Sequence, residues 1–281
     1  MRNRIIFLAA LSIFLTPAIW TGMACCATSE NQQTKPTKTP GNSSPCKADE
    51  LNVVLSKMKK ATEQLRSCQA ALSHLFIQDP ELLDSRTLKN GVLYYLKDKD
   101  RSRLRIRFDD IRQDDFDPVK QREEYLFDGV WMTRIDYKLK QIDQYQKAPE
   151  DSPIDVFEFI SYNFPLVGFS GIDELEKDFE VSFAAQKAAD PNTTIQLLLK
   201  TLKDSKYSEE FSKIDFWVNN DTFLPLRIRA YTTQGDIHDI RFLDAKINKN
   251  LENSVFTIET PAGFSKNREA LKKTESVIKG N

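Results

Sequence analysis

The chain has 281 residues, a length that fits one large β-domain or two smaller domains. Its 40 Lys and Arg stand against 41 Asp and Glu, a net charge of −1 that excludes a strongly basic nucleic-acid binder. Nine glycines argue against glycine-rich phosphate cradles, and two histidines, His74 and His238, leave few ligands or bases for zinc or His-based catalysis.

In chain order, Arg2 and Arg4 form a short positive region, and the stretch from Ile5 to Trp20 carries no charge. Gly22 and Ala24 then place small residues at −3 and −1 of a cleavage site, so residues 1–24 read as a secretory signal peptide. The apolar run is short for a membrane span, which needs about 20 residues. Cleavage after Ala24 would leave Cys25 first. Bacterial lipoprotein signals resemble Leu-x-Gly/Ala-Cys, and Gly22 at −3 makes the match partial. Two readings stand: a lipid on Cys25, or ordinary release into the periplasm. Residues 25–47 are rich in Thr, Ser, Asn, Gln and Pro and read as a flexible linker.

The domain proper is expected over 48–265, with a polar tail over 266–281. Leu51, Val54, Leu55, Met58, Leu65, Cys68 and Leu72 recur at helical spacing and predict a helix over 48–73, packed on a sheet. Such a helix would hold Cys46 and Cys68 roughly 30 Å apart, too far for a disulfide. Cys68 is then a small buried hydrophobe.

Beyond Leu72 the period changes to two. Arg101, Arg103, Arg105 and Arg107 alternate with Leu104, Ile106 and Phe108. The same alternation marks Ile135 to Leu139, Phe179 to Phe183, Leu224 to Ile228 and Ile240 to Phe242. Turn signals stand at Asn90-Gly91, Asp128-Gly129, Asn219-Asn220-Asp221 and Gln234-Gly235-Asp236. About ten or eleven strands follow from this count. The four arginines read as a wet strand face paired with carboxylates of neighbouring strands, or as a dock for an anionic headgroup or acidic partner. Residues 149–178 interrupt the strands with an apolar helix-like run from Val156 to Tyr162 and a short helix from Ile172 to Lys177. That insert reads as a plug against the sheet or a lid over a cavity.

A long antiparallel sheet with one oily face must cover it. The expected fold is α+β: a strongly curved antiparallel sheet, an unclosed β-barrel, with helices covering the concave face. Enzyme motifs are missing: there is no Gly-x-Ser-x-Gly elbow, P-loop, His-Glu-x-x-His or Cys-x-x-Cys. Asp109, Asp110, Asp114, Asp115 and Asp117 lack calcium-loop spacing and read as a solvated turn. No enzymatic activity, cofactor or metal is expected.

Several stretches, in order, resemble the LolA-like periplasmic lipoprotein carrier family. They are Leu75-Phe76-Ile77-Gln78, Asn90-Gly91-Val92-Leu93-Tyr94-Tyr95, Arg103-Leu104-Arg105-Ile106 and Phe127-Asp128-Gly129-Val130-Trp131. Lys140-Gln141-Ile142, Phe216-Trp217-Val218, Leu224-Pro225-Leu226 and the run from Phe256 through Pro261 and Gly263 to Phe264 follow. The resemblance covers about residues 48–265. It implies a carrier that shields acyl chains of lipoproteins or lipids between an inner-membrane donor and an outer-membrane acceptor, with no nucleic-acid partner. The family's carriers begin the third strand with Arg-Pro, the Arg engaging the lid; here the stretch reads Lys99-Asp100-Arg101-Ser102-Arg103. Candidate cavity-lining residues are Leu104, Ile106, Phe108, Phe127, Trp131, Phe157, Ile160, Phe164, Phe216 and Leu226. The alternative function is an envelope sensor or interaction module whose cavity is filled by its own side chains.

Overall fold

The structure, a computed structural model, describes residues 45–98, 101–157, 159, 172–184 and 193–271. The signal-like segment, Cys25, Ile160 and Phe164 lie outside the described residues. Twelve strands form one sheet in the order β12-β6-β5-β4-β3-β2-β1-β11-β10-β9-β8-β7. They are β1 (Ser67–Gln78), β2 (Ser85–Lys97), β3 (Ser102–Gln113), β4 (Val119–Phe127), β5 (Trp131–Asp136), β6 (Gln141–Gln146), β7 (Phe179–Phe183), β8 (Thr194–Thr201), β9 (Phe211–Asn219), β10 (Pro225–Thr232), β11 (Ile237–Ile247) and β12 (Ser265–Glu269). The terminal strands β7 and β12 do not pair, so the sheet is open. Every pairing is antiparallel except that of β12 with β6.

Among the described residues a helix, α1 (Pro45–Glu63), precedes the sheet, and a shorter one, α2 (Ile172–Asp178), interrupts it. α1 is shorter than its stripe predicts. Thr62 donates its hydroxyl to the Met58 carbonyl at 3.0 Å, a back-bond that competes with helix continuation. The Arg66 and Ser67 amides then donate to the Asn248 side chain, and β1 is taken into the sheet between β2 and β11. Cys68 and Leu72 therefore lie on a strand. Their offsets from Met58 match helical spacing by coincidence. Cys68 is a free thiol, pushed up to about 11 by burial.

The inner face is read from cross-strand pairs. Tyr95 faces Leu104, Leu104 faces Phe127, Phe127 faces Met132, and Ile228 faces Phe216. These residues share one buried cluster with Leu55 and Met58 of α1, Leu175 of α2 and the helical residues Val156, Phe157 and Phe159. Fully burying one such side chain contributes about 1.5–3 kcal/mol.

The outer face is wet but ordered. Arg105 binds the fully buried Glu124 carboxylate at 2.5 Å, and Arg122 and Tyr137 reach its other oxygen. The Arg105–Glu124 pair is the cross-strand pairing that the wet-face reading anticipates, whereas Arg107 pairs with Asp109 on its own strand and Arg103 with Asp98 just past β2. Arg105 also donates to the Val255 carbonyl, tying down the 3-10 turn Asn253–Phe256.

Three expectations are corrected. Tyr137 to Lys140 form a turn, because β5 ends at Asp136 and Lys140 has φ +53°. Residues 266–269 are not a tail: they belong to β12, whose polar side chains are all exposed and which pairs in parallel with β6. Asn90-Gly91 is no turn but lies inside β2, at a register shift against β3. Gly91 is needed there for closeness, since a Cβ would fall 1.8 Å from the Arg107 carbonyl oxygen. Gly91→Ala is expected to destabilise by at least about 1–3 kcal/mol, seen as a lower urea midpoint with the slope unchanged.

Candidate functional site

Among the described residues, two neighbouring cavities lie on the inner face. The larger encloses about 30 Å³ and is lined by Leu65, Cys68, Leu93, Tyr95, Leu104, Phe157, Leu224, Pro225, Phe242 and Ala245. The smaller encloses about 10 Å³, between Leu72, His74, Leu93, Ile106, Phe108, Ile240 and Phe242. Leu93 and Phe242 are common to both, so the two form one apolar run with a constriction. A water occupies about 30 Å³ of liquid. In this conformation the run is nearly filled by its own walls.

One end of the run is covered by the segment starting at Asp155. The Asp155 carboxylate accepts from the Phe157 amide at 2.8 Å, as an N-cap does, and from the Ser102 hydroxyl at 2.9 Å. Ser102 in turn accepts from the Val156 amide at 2.8 Å. Ser102 thus pins this segment to the start of β3, within the stretch that lacks Arg-Pro. The pinning sets Phe157 on the Tyr95 ring, centroids 4.5 Å apart, and stacks Phe159 on Phe127 at 3.9 Å. The Tyr95 hydroxyl is buried and, among the described residues, has no hydrogen-bond partner. Such a group ordinarily costs about 1–3 kcal/mol.

The other end meets a buried polar node. His74 on β1 stands directly opposite Lys89 on β2, and Phe108 opposite Glu123. Lys89 bonds Glu123 at 2.7 Å, with side chains 9% and 6% exposed. Tyr125 donates to the same carboxylate at 2.6 Å, and Arg134 reaches it at 3.2 Å. Burial works to raise the Glu123 carboxyl, but Lys89, Tyr125 and Arg134 bring it below its ordinary value. His74 Nε2 and His238 Nδ1 lie 3.2 Å apart, one donating and one accepting. Burial, then His238 and Lys89, hold the His74 ring well below the usual imidazole range. Burial pushes His238 down to about 4. Among the described residues no three His, Cys, Asp or Glu side chains gather to hold a metal ion.

The sequence-predicted site divides accordingly. Leu104, Ile106, Phe108, Phe127, Phe157 and Phe216 are all buried in the inner-face cluster. Leu104 and Phe157 line the larger cavity, Ile106 and Phe108 the smaller. Trp131 is only half-buried and turns away: Met132 is the residue opposite Phe127, and the Trp131 indole donates to Glu150 beneath the Arg268 guanidinium. Leu226 is the extra residue of a bulge between Pro225 and Arg227, so Leu224 and Pro225 reach the cavity instead. Leu93, Tyr95 and Phe242 are not singled out by sequence. Their signal is parity within Leu93-Tyr94-Tyr95 and Ile240-Arg241-Phe242. Lys89, Glu123 and Arg134 escape it because charged residues on an inner-face position read as outward-facing.

No protein-family model matches this chain, and no curated relative matches it. Solved structures do. An uncharacterised conserved protein from Thermus thermophilus is 11% identical, with a TM-score of 0.46, over 78% of this chain and 99% of that one. A chain of the MucA/MucB complex of Pseudomonas aeruginosa is 14% identical, with a TM-score of 0.39, over 75% of this chain. This chain spans only 61% of that relative's length. A LolA-superfamily protein from Nitrosomonas europaea is 14% identical, with a TM-score of 0.33, over 74% of this chain and 97% of that one. The chain is similar to LolA-superfamily structures, and at these identities the likeness is one of fold.

Two stability experiments test the polar node. Glu123→Ala strands the Lys89 ammonium and is expected to cost about 3–5 kcal/mol, measured by urea unfolding at neutral pH. The two histidines bind protons more readily once unfolded, because burial depresses them in the fold. Stability is therefore full above pH ~6.5 and falls as pH drops toward 4, with roughly 3 kcal/mol from His238 alone. His238→Phe should flatten the unfolding free energy between pH 6.5 and 4.5.

Proposed function

We propose that this protein is a cell-envelope carrier that binds acyl chains of lipids or lipoproteins against the inner face of its open sheet and moves them between membranes. Export directed by residues 1–24, and release to or anchoring in the periplasm through Cys25, belong to this reading, as do an inner-membrane donor and an outer-membrane acceptor. The observation that carries it is the apolar run through Leu93 and Phe242, walled by sheet on one side and by Phe157 on the other. Each methylene shielded from water contributes about 0.8 kcal/mol, so an acylated cargo leaves a bilayer only for a site of this kind. The walls leave about 30 Å³ in the larger cavity, so loading requires Phe157 and Phe159 to part from Tyr95 and Phe127. The Ser102–Asp155 contact holds that cover with few, reversible bonds. Reversibility is what a carrier needs and tight catalytic geometry is not.

The same small volume favours a second reading, an envelope sensor or interaction module whose cavity is self-filled. Native mass spectrometry of the protein purified from a bacterial envelope separates the two. Co-purifying lipid or lipoprotein, released on denaturation, is expected for the carrier, and a bare protein that also refuses an apolar fluorescent probe sinks it. Leu93→Trp, which fills the constriction, is expected to cut probe affinity tenfold or more. Overpacking of this kind costs about 1–3 kcal/mol of stability, so the fold should survive.

A further inference from the structure

One residue that lines the larger cavity, Tyr95, carries a polar atom that packing does not explain. Tyr95 is 1% exposed, and its hydroxyl alone among the cavity-lining side chains is a buried oxygen without a partner among the described residues. Buried phenols normally find one. Tyr125, on the same face two strands away, does so through Glu123 at 2.6 Å. A phenylalanine at 95 would fill the same space without a stranded hydroxyl. The nearby Asp155 carboxylate is already engaged by the Ser102 hydroxyl and the Phe157 amide, with the Lys97 ammonium 3.9 Å away. Burial first and Asp155 second raise the phenol far above its ordinary value, so it always carries its proton.

We propose that the Tyr95 hydroxyl is the polar subsite of the cavity, donating to the carbonyl oxygen of an acyl ester or amide whose hydrocarbon chain extends past Leu93 and Phe242. This deepens the carrier reading and rests on it. The other lining groups are carbon or the weakly donating Cys68 thiol, which makes Tyr95 the one strong donor there. A single neutral donor suits a neutral carbonyl. A free carboxylate would bring a second negative charge beside Asp155 and into an apolar wall, which is unfavourable. The ligand class is thus the esterified or amide-linked acyl chain, as on a glyceride or an acylated protein, in preference to a free fatty acid. The buried node of His74, Lys89 and Glu123 closes the far end of the run, so the methyl terminus stops before it.

The test uses the exported protein, wild type and Tyr95→Phe, with three probes displacing an apolar dye: methyl palmitate, hexadecane and sodium palmitate. Wild type is expected to favour methyl palmitate over palmitate by tenfold or more. Tyr95→Phe should lose about fivefold for the ester, the yield of one neutral hydrogen bond, while hexadecane changes less than twofold. The infrared carbonyl band of bound ester should sit lower in wild type than in the variant. Loss of affinity for ester and hexadecane alike, or for neither, overturns the subsite. So does a preference for palmitate. If none of the three binds wild type, both the subsite and the carrier reading fail; if all bind and Tyr95→Phe discriminates nothing, only the subsite fails. Asp155→Asn gives an independent check: palmitate should gain relative to the ester, and no gain counts against the proposal.

Discussion

A sheet that does not close must have its oily face covered by the rest of its own chain. That constraint organises this molecule. Closure would have buried the inner face by wrapping strand on strand, as barrels do. Here β7 and β12 remain apart, and Leu55 and Met58 of α1, Leu175 of α2, and Val156, Phe157 and Phe159 join the buried cluster of the sheet. Covering with helices differs from closing with strands in one respect. A strand is held by a ladder of backbone bonds, whereas at 155–157 side chains make the contact with β3, through the Ser102 hydroxyl and the Asp155 carboxylate.

The inner face is not uniform. At the Tyr95 end it is carbon with one stranded hydroxyl, and at the His74 end it is a saturated network of Lys89, Glu123, Tyr125 and Arg134. Buried ion pairs add little net stability compared with apolar replacements. Their effect here is on shape: the network ends the oily run at a defined place. The arginines of the outer face are spent on neighbours such as Glu124 and Asp239, the latter gripped by Arg227, Arg229 and Arg241.

Much of this is legible in the residues alone, because period-two alternation reports which face a residue takes. Leu104, Ile106 and Phe108 are inward for that reason, and the arginines between them outward. The open sheet follows from the same pattern. Alternation fails where backbone, not side chain, decides. The ladder of β12 has no apolar residue to announce it. Asn90-Gly91 has turn composition, yet Gly91 serves close approach of two strands. Leu226 falls on a bulge, which resets parity without any sign in the residues themselves. The helix reads too long because Cys68 and Leu72, four residues apart, fit both periods, while Leu65 keeps helical step although it lies in the connection before β1. The polar node is invisible for a different reason: charge on an inward position is rare, and only the fold brings Lys89, on β2, to Glu123, on β4, across the intervening strand.

The placing of β1 has a bearing on how the molecule is made. This strand sits in the middle of the sheet, yet its neighbour β11 pairs Cys68 with Ile247 and Ile77 with Ile237. The central ladder therefore joins the beginning of the domain to its end. Such distant pairing forms slowly, since a long loop must be closed before any bond is gained. During synthesis the sheet lacks its middle until residue 247 has emerged, and until then its two halves expose raw edges.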